Sequence, residues 1–316
     1  MSTSARAQAD ASIAEVFAGR PYVFVAPGDD ADIAFVSRDI TGLSTKDIVL
    51  PDTQRFHDAL LAAPGLRWAH VHSAGADRPI YVELRRRGVR LTTSSGANTE
   101  VVVQTAIAGI LALARRFPQL MAAQRRRQWA PLIGADLPRD LAGQTALVVG
   151  WGPIGQGIAT LLQALGLRVM AARGSSVAVG PEVDTVPYEE LERLLPRADW
   201  LVLACPLSSR TEGLIDAAAL ALLPPGAHLV NVARGAVLDE AALLDALGRG
   251  RLAGAYLDVF EHEPLPAESP LWTADKIIVT PHSAGHSDGN EPRVRRVFLD
   301  NLRRWLDGEA LRHEVA

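Results

Sequence analysis

Arg234, Glu263 and His282 have the side-chain types that could carry out acid–base chemistry together. Each follows a short apolar run: residues 228–232 (HLVNV) before Arg234, 253–259 (AGAYLDV) before Glu261, His262 and Glu263, and 277–280 (IIVT) before His282. If these runs are parallel strands, their carboxyl ends share one edge and the polar residues meet there. A histidine titrates near neutrality, so it can give or take a proton, and a neighbouring carboxylate favours its charged form. An arginine can hold a substrate carboxylate through paired N–H bonds and polarise the carbonyl beside it. The set suits protonation of a carbonyl oxygen that becomes anionic as a hydride reaches its carbon. Each residue also has a plainer reading. Arg234 could pin a strand end, Asp258 could cap a loop, Glu263 could be a solvated turn residue beside Pro264, and His262 and His286 compete with His282. The histidines lack the paired spacing of zinc ligands on one helix face, so no metal site is expected.

A hydride donor is implied by the middle of the chain. Residues 146–149 are apolar and run into Gly150-x-Gly152-x-x-Gly155, followed by helical spacing at Ile158, Leu161, Leu162 and Leu165. In a strand–turn–helix, Gly150 permits the turn, Gly152 lets backbone N–H groups approach a pyrophosphate, and Gly155 lets the helix pack close to the strand. The helix start adds unpaired N–H groups and a positive dipole end. S-adenosylmethionine could use such a turn, but a methyltransferase leaves Arg234, Glu263 and His282 without a task. A second β-run, residues 167–172, ends at Arg173-Gly174-Ser175-Ser176. An NAD-binding unit places an acid near this point to hold the ribose 2′-hydroxyl; an arginine instead suits a 2′-phosphate. NADP(H) is therefore expected over NAD(H), with NAD(H) still possible. The plainer reading has Arg173 stacking on the adenine.

The elements that must position these residues alternate strand and helix from 146 to 280. Between those described, residues 191–195 are expected as a short helix, 200–204 as a buried strand delivering Cys205 and Pro206, and 217–223 and 240–247 as helices. That is the pattern of a doubly wound, mostly parallel sheet. Earlier in the chain, strands are expected at 22–26, 33–36, 66–71 and 89–93, and helices at 54–63, 81–87 and 99–116. The first fifteen residues are expected as a tail. The loop of small residues from Ser73 through Ala74 and Gly75 follows a strand, the position where open α/β sheets place ligands. A domain boundary is placed at residue 98. Arg125 to Arg127 are expected on a solvated helix face.

At 316 residues the chain is long enough for two domains, and 48% apolar with 22% charged residues reads as a globular protein with a substantial core. A net charge of -4 gives no reason to expect nucleic acid or an anionic membrane as partner. Residues 101–114 fall short of the ~20 apolar residues that span a bilayer. A single cysteine, Cys205, excludes an intrachain disulfide and fits the cytoplasm.

The stretches GWGPIGQG, CPLSSRTEGLID, NVARGAVLDEAALLDAL, GAYLDVFEHEPLP and TPHSAGH, in this order, resemble the D-2-hydroxyacid dehydrogenase family. The likeness extends to HSAGAD and SSGANTE in the first part and to the terminal NLRRWLDGEAL. It implies a catalytic set of Arg234, Glu263 and His282, with Asp258 beside the nicotinamide and Ser73, Ala74 and Gly75 at the substrate carboxylate, where Arg234 and His282 also bind. The cofactor positions would be Gly150, Gly152, Pro153, Ile154, Gly155, Arg173, Ser175, Cys205, Pro206, Thr211, Val232, Ala233 and Asp258. The implied fold is α/β: two doubly wound parallel-sheet domains, with a Rossmann-type nucleotide domain (99–284) inserted into a flavodoxin-like substrate domain (1–98 and 285–316). Hinges would lie near Asn98 and Ala284, closing on a small 2-oxo acid, and a homodimer is expected. Arg173 departs from the aspartate of NAD-using members and resembles those that prefer NADPH, which suggests glyoxylate or hydroxypyruvate reduction. Gln104 stands where a glutamate is common, and nothing in the sequence explains it. The alternative is a nucleotide-sensing, corepressor-like binding protein of the same fold.

Overall fold

Residues Thr145–Val149 (TALVV) are buried along their whole length, as a strand covered on both faces must be. The computed structural model that contains them describes residues 1–26, 28–134 and 137–315. Contacts divide the chain into two compact units, Met1–Asn98 with Ser287–Ala316, and Thr99–His286.

The first unit is built from α1 (Thr3–Phe17), β1 (Ile33–Val36), α2 (Arg38–Thr41), α3 (Pro51–Ala62), β2 (Trp68–Val71), α4 (Pro79–Arg86) and β3 (Arg90–Thr93). Its strands form a parallel sheet in the order β1-β2-β3, and the register pairs Val36 with Val71 and Val71 with Thr93. One face carries Leu60, Ile80, Tyr81 and Leu84 from α3 and α4. The other carries Ala5, Ala9 and Ile13 from α1, with Phe298 and Leu302 from the C-terminal helix, over Trp68 and Phe35.

The second unit contains α5 (Thr99–Ala114), α6 (Phe117–Arg125), β4 (Thr145–Val149), α7 (Pro153–Ala164), β5 (Arg168–Arg173), β6 (Asp184–Pro187), β7 (Trp200–Leu203), α8 (Ala217–Leu222), β8 (Ala227–Asn231), α9 (Glu240–Gly248), β9 (Leu252–Leu257) and β10 (Ile277–Val279). The last helix, α10 (Asn290–Leu306), belongs to the first unit. The seven strands are parallel in the order β10-β9-β8-β7-β4-β5-β6. Winding runs outward in both directions from β4, so the topological switch lies between β4 and β7, where such sheets bind ligands. One face packs against α5 and α7 through Val103, Ala106, Ile110, Ile158 and Leu162, and the other against α8 and α9 through Leu220, Leu243 and Leu247. No single helix among the described residues is long and apolar enough to cross a membrane.

Two expectations fail. Residues 22–26 form no strand: Val23 is 80% exposed, Tyr22 stacks on Phe17 at 4.2 Å, and Arg6 lies over the Phe24 ring. A β-rich run with no neighbouring strand has no ladder to join, and here aromatic contacts hold it instead. Residues 1–15 are not a tail, because α1 begins at Thr3, with the Ser2 hydroxyl accepting the Ala5 N–H. Alanines on both faces hid the buried stripe of Ala5, Ala9 and Ile13, whose spacing of four is helical. The edge strand β6 also went unread, since Pro187 at its end suppresses a strand signal while suiting an edge.

Candidate active site

The glycine turn is built by close approach. Gly150 follows β4 at φ +104, and a Cβ there would lie 2.5 Å from the Cys205 nitrogen and 2.6 Å from the Ala204 carbonyl, so the end of β7 packs directly on it. A Cβ at Gly155 would sit 1.9 Å from the Gly150 oxygen, which is how the start of α7 meets the strand. Gly152 is different. It is the N-cap of α7, has no side-chain cap, and nothing lies within 4 Å of where its Cβ would be. Pro153 occupies the first turn and Ile154 packs into the core. Open space over an uncapped helix start, at the switch between β4 and β7, fits a dinucleotide pyrophosphate.

Arg173 ends β5, half-buried, and Ser175 lies two residues on. A second arginine, not singled out from the sequence, reaches the same loop. Arg210 donates from Nη1 to the Gly174 carbonyl (2.7 Å) and from Nε and Nη2 to both Glu189 oxygens (2.7 and 2.8 Å). Between them is Tyr188, whose phenol burial pushes up to about 12 while Arg210 and Arg173 pull the other way. Across the switch, Cys205 is 3% exposed, and burial pushes its thiol to about 12, so it contributes shape and backbone rather than a thiolate. Thr211 is fully buried, donating to the Pro206 carbonyl (2.7 Å) and accepting the Ser208 N–H (2.8 Å). Its hydroxyl shapes the Cys205–Pro206 loop from within.

Arg234 follows β8 after the buried Val232 and Ala233. Asn231, fully buried, braces this corner: its Oδ1 accepts the Ala233 N–H (3.0 Å) and its Nδ2 donates to the Arg234 carbonyl (3.1 Å). Asn231 is not legible from sequence, since an asparagine inside HLVNV carries no spacing signal. Arg234 Nη1 donates to the Ala233 carbonyl at 2.7 Å. At Gly235 a Cβ would come within 1.8 Å of the Phe260 carbonyl carbon, so the loop bearing Arg234 lies directly against the loop that carries Glu263.

Glu263 then meets His282. One carboxylate oxygen accepts the Phe260 N–H (3.1 Å) and the other lies 2.7 Å from His282 Nδ1. The glutamate side chain is 12% exposed and the imidazole 50%, so the acid lies beneath a ring that faces outward. A carboxylate only accepts, which makes Nδ1 the N–H and leaves Nε2 directed away from it. His282 adopts a left-handed φ of 49°, uncommon for a residue with a Cβ, and its N–H donates to the Asp258 carbonyl at 2.8 Å.

Asp258 maintains that geometry. Its buried carboxylate accepts the Thr280 hydroxyl (2.6 Å), the Ser283 N–H (2.9 Å) and the Ala284 N–H (3.0 Å), while Tyr256 bonds Thr280 at 2.6 Å. Burial raises the Asp258 pKa, opposed by these bonds and by His282. In the first unit, Ser73 and Gly75 are half-buried and Ala74 is exposed, with the Ser73 hydroxyl donating to the Gly75 carbonyl (2.8 Å) and the Ser73 carbonyl accepting the Ser94 N–H (3.0 Å).

The second unit is thus a doubly wound parallel sheet with a glycine turn at its switch point, and with His282 over Glu263 and Arg234 following the carboxyl ends of its strands. Residues 107–284 match the family model described as D-isomer specific 2-hydroxyacid dehydrogenase, NAD binding domain. The chain is 35% identical over 272 residues to an (S)-sulfolactate dehydrogenase of Chromohalobacter salexigens, covering 84% of this chain and 86% of that one. It is 33% identical over 252 residues to a glyoxylate reductase of Korarchaeum cryptofilum, covering 78% and 75%. A crystal structure of a D-isomer specific 2-hydroxyacid dehydrogenase from Xanthobacter autotrophicus, in complex with NADPH and MES, superposes with a TM-score of 0.73 at 31% identity, covering 95% and 88%. The chain belongs to the D-isomer specific 2-hydroxyacid dehydrogenase family. It is an NAD(P)-dependent oxidoreductase acting on the CH–OH group of 2-hydroxy acids.

Proposed function

We propose that the chain reduces a small 2-oxo acid, glyoxylate or hydroxypyruvate, to the D-hydroxy acid with NADPH in preference to NADH. The observation that carries this reading is the 2.7 Å contact of His282 Nδ1 with Glu263, on the sheet edge that also bears Arg234. When bound, the reduced nicotinamide would supply the hydride. Arg234 holds the substrate carboxylate and polarises the adjoining carbonyl. Glu263 fixes the imidazole so that Nε2 carries the proton to the carbonyl oxygen, and in the reverse direction Nε2 takes the hydroxyl proton. In the first unit, Ser73, Ala74 and Gly75 are the candidate residues for a substrate carboxylate. Gly150, Gly152 and the start of α7 hold the pyrophosphate, with Pro153, Ile154, Cys205, Pro206, Thr211, Val232, Ala233 and Asp258 shaping the rest of the cofactor bed.

Arg173 with Ser175 supports the choice of NADPH, since a guanidinium suits the 2′-phosphate. The Xanthobacter relative crystallised with NADPH is consistent with this reading. A nucleotide-sensing binding protein would leave the His282–Glu263 contact without a task. A homodimer is part of the same reading, and light scattering of the purified chain tests it. The function is tested by following oxidation of NADPH and of NADH with glyoxylate, hydroxypyruvate and pyruvate. Turnover with NADPH favoured is expected; no turnover with any 2-oxo acid would reject the reading.

A further inference from the structure

We propose that Arg38 selects substrates carrying a second anionic group, a sulfonate or carboxylate, beyond the 2-oxo acid; this rests on the assignment of the Ser73–Gly75 loop to the substrate carboxylate. The placement comes from sheet register. Val36 of β1 pairs with Val71 of β2 and the Val36 carbonyl accepts the His72 N–H (3.0 Å), so Arg38, which opens α2, and Ser73 both follow the carboxyl ends of neighbouring strands. Adjacent strands lie about 4.8 Å apart, so the two chain segments leave the sheet close to one another. An arginine side chain is long enough to reach from there to a group two carbons from the carboxylate.

The charge around Arg38 is left uncompensated. Its guanidinium has no hydrogen bond or ion pair among the described residues. Burial of part of its length, then the charge of Arg78, pull its pKa below the ordinary arginine value. The adjoining Asp39 accepts the Ser37 hydroxyl and acts on the Met1 ammonium, Glu83 is gripped by Arg86 and Arg87, and Asp77 has its own interactions. Arg78 stands behind as a second cation: Nη2 donates to the Ser44 carbonyl (2.8 Å), and Nη1 is buried with no acceptor. Around it, His57 Nε2 is buried with no hydrogen-bond partner among the described residues, and the Tyr81 hydroxyl is buried beside Ser73, whose own hydroxyl donates to the Gly75 carbonyl. Buried polar atoms are seldom left so. Two cations that repel each other, beside the loop assigned to the substrate carboxylate, provide for an incoming dianion. Arg38 touches its far end, and Arg78 raises the local potential.

The test compares kcat/KM with NADPH for 3-sulfopyruvate and oxaloacetate against hydroxypyruvate, in the wild type, Arg38→Met and Arg38→Lys. The wild type is expected to favour the dianions. Arg38→Met should lower the dianion-to-hydroxypyruvate ratio roughly tenfold to a hundredfold, through KM, with partial recovery in Arg38→Lys. Reduction of hydroxypyruvate with no dianion preference, or a ratio indifferent to Arg38, would overturn the proposal and leave the proposed function standing. Inorganic sulfate stimulating hydroxypyruvate reduction through Arg38 would overturn it in favour of a separate anion site. Failure to reduce any 2-oxo acid would reject both.

Discussion

His282 is held by its backbone and its ring at once: its N–H donates to Asp258, its Nδ1 faces Glu263, and its neighbours Ser283 and Ala284 donate to the Asp258 carboxylate. Such fixing lowers the reorganisation needed to present Nε2 to a substrate. Replacing Glu263 by Gln keeps the shape but lets the partner donate as well as accept, so the ring loses its fixed tautomer. A fall in kcat of roughly tenfold to a thousandfold with little change in KM is expected from steady-state kinetics. At the other end of the cofactor bed, Arg173→Ala should raise KM for NADPH about tenfold or more and leave KM for NADH within a few-fold, as expected for loss of a charge-assisted phosphate bond. Equal losses for the two nucleotides would remove Arg173 from the 2′-phosphate.

At the level of elements, the glycine turn separates a packing role from a binding role. Gly155→Ala pushes a Cβ to within 1.9 Å of the Gly150 oxygen and should cost about 2 kcal/mol or more in chemical denaturation. Gly152→Ala meets nothing within 4 Å and should leave stability within about 0.5 kcal/mol, while a methyl in the pyrophosphate space weakens nucleotide binding at least tenfold. A second element-level effect comes from His70 in β2, fully buried between the Thr92 hydroxyl (2.7 Å) and the Ser94 hydroxyl (3.0 Å). Burial pulls its pKa to about 3, below its ordinary 6.5, so its contribution is complete above pH 6.5 and is lost as the pH falls toward 3. By pH 5 that loss reaches about 2 kcal/mol, and His70→Gln should reduce the difference in unfolding free energy between pH 7 and pH 5 by about this amount. An unchanged difference would mean that His70 is protonated within the fold.

These elements differ in how far the sequence revealed them. Gly150 and Gly155 are legible because close backbone approach admits no other residue, and Arg234, Glu263 and His282 because each directly follows an apolar run. Asn231, Arg210 and Arg38 are not legible. Their neighbours, at Ala233, Glu189 and Arg78, are set by folding and not by spacing along the chain. Helix α1 was hidden because alanine on both faces gives no periodic contrast, and residues 22–26 misled because β-branched residues report a preference for burial that only a neighbouring strand can satisfy.

Across the whole molecule, two units each fold around a parallel sheet covered on both faces, and each places its candidate ligand loops at the carboxyl edge. The second unit carries Arg234, Glu263, His282 and the glycine turn; the first carries Ser73, Gly75 and Arg38. The catalytic claim rests on one imidazole in the second unit. The most direct measurement is the rate of NADPH oxidation by hydroxypyruvate in His282→Asn beside the wild type, with NADPH affinity followed in both by fluorescence. The expected result is a loss of turnover of at least about a hundredfold with nucleotide affinity nearly retained. Wild-type turnover in His282→Asn would contradict the assignment of this histidine as the proton donor.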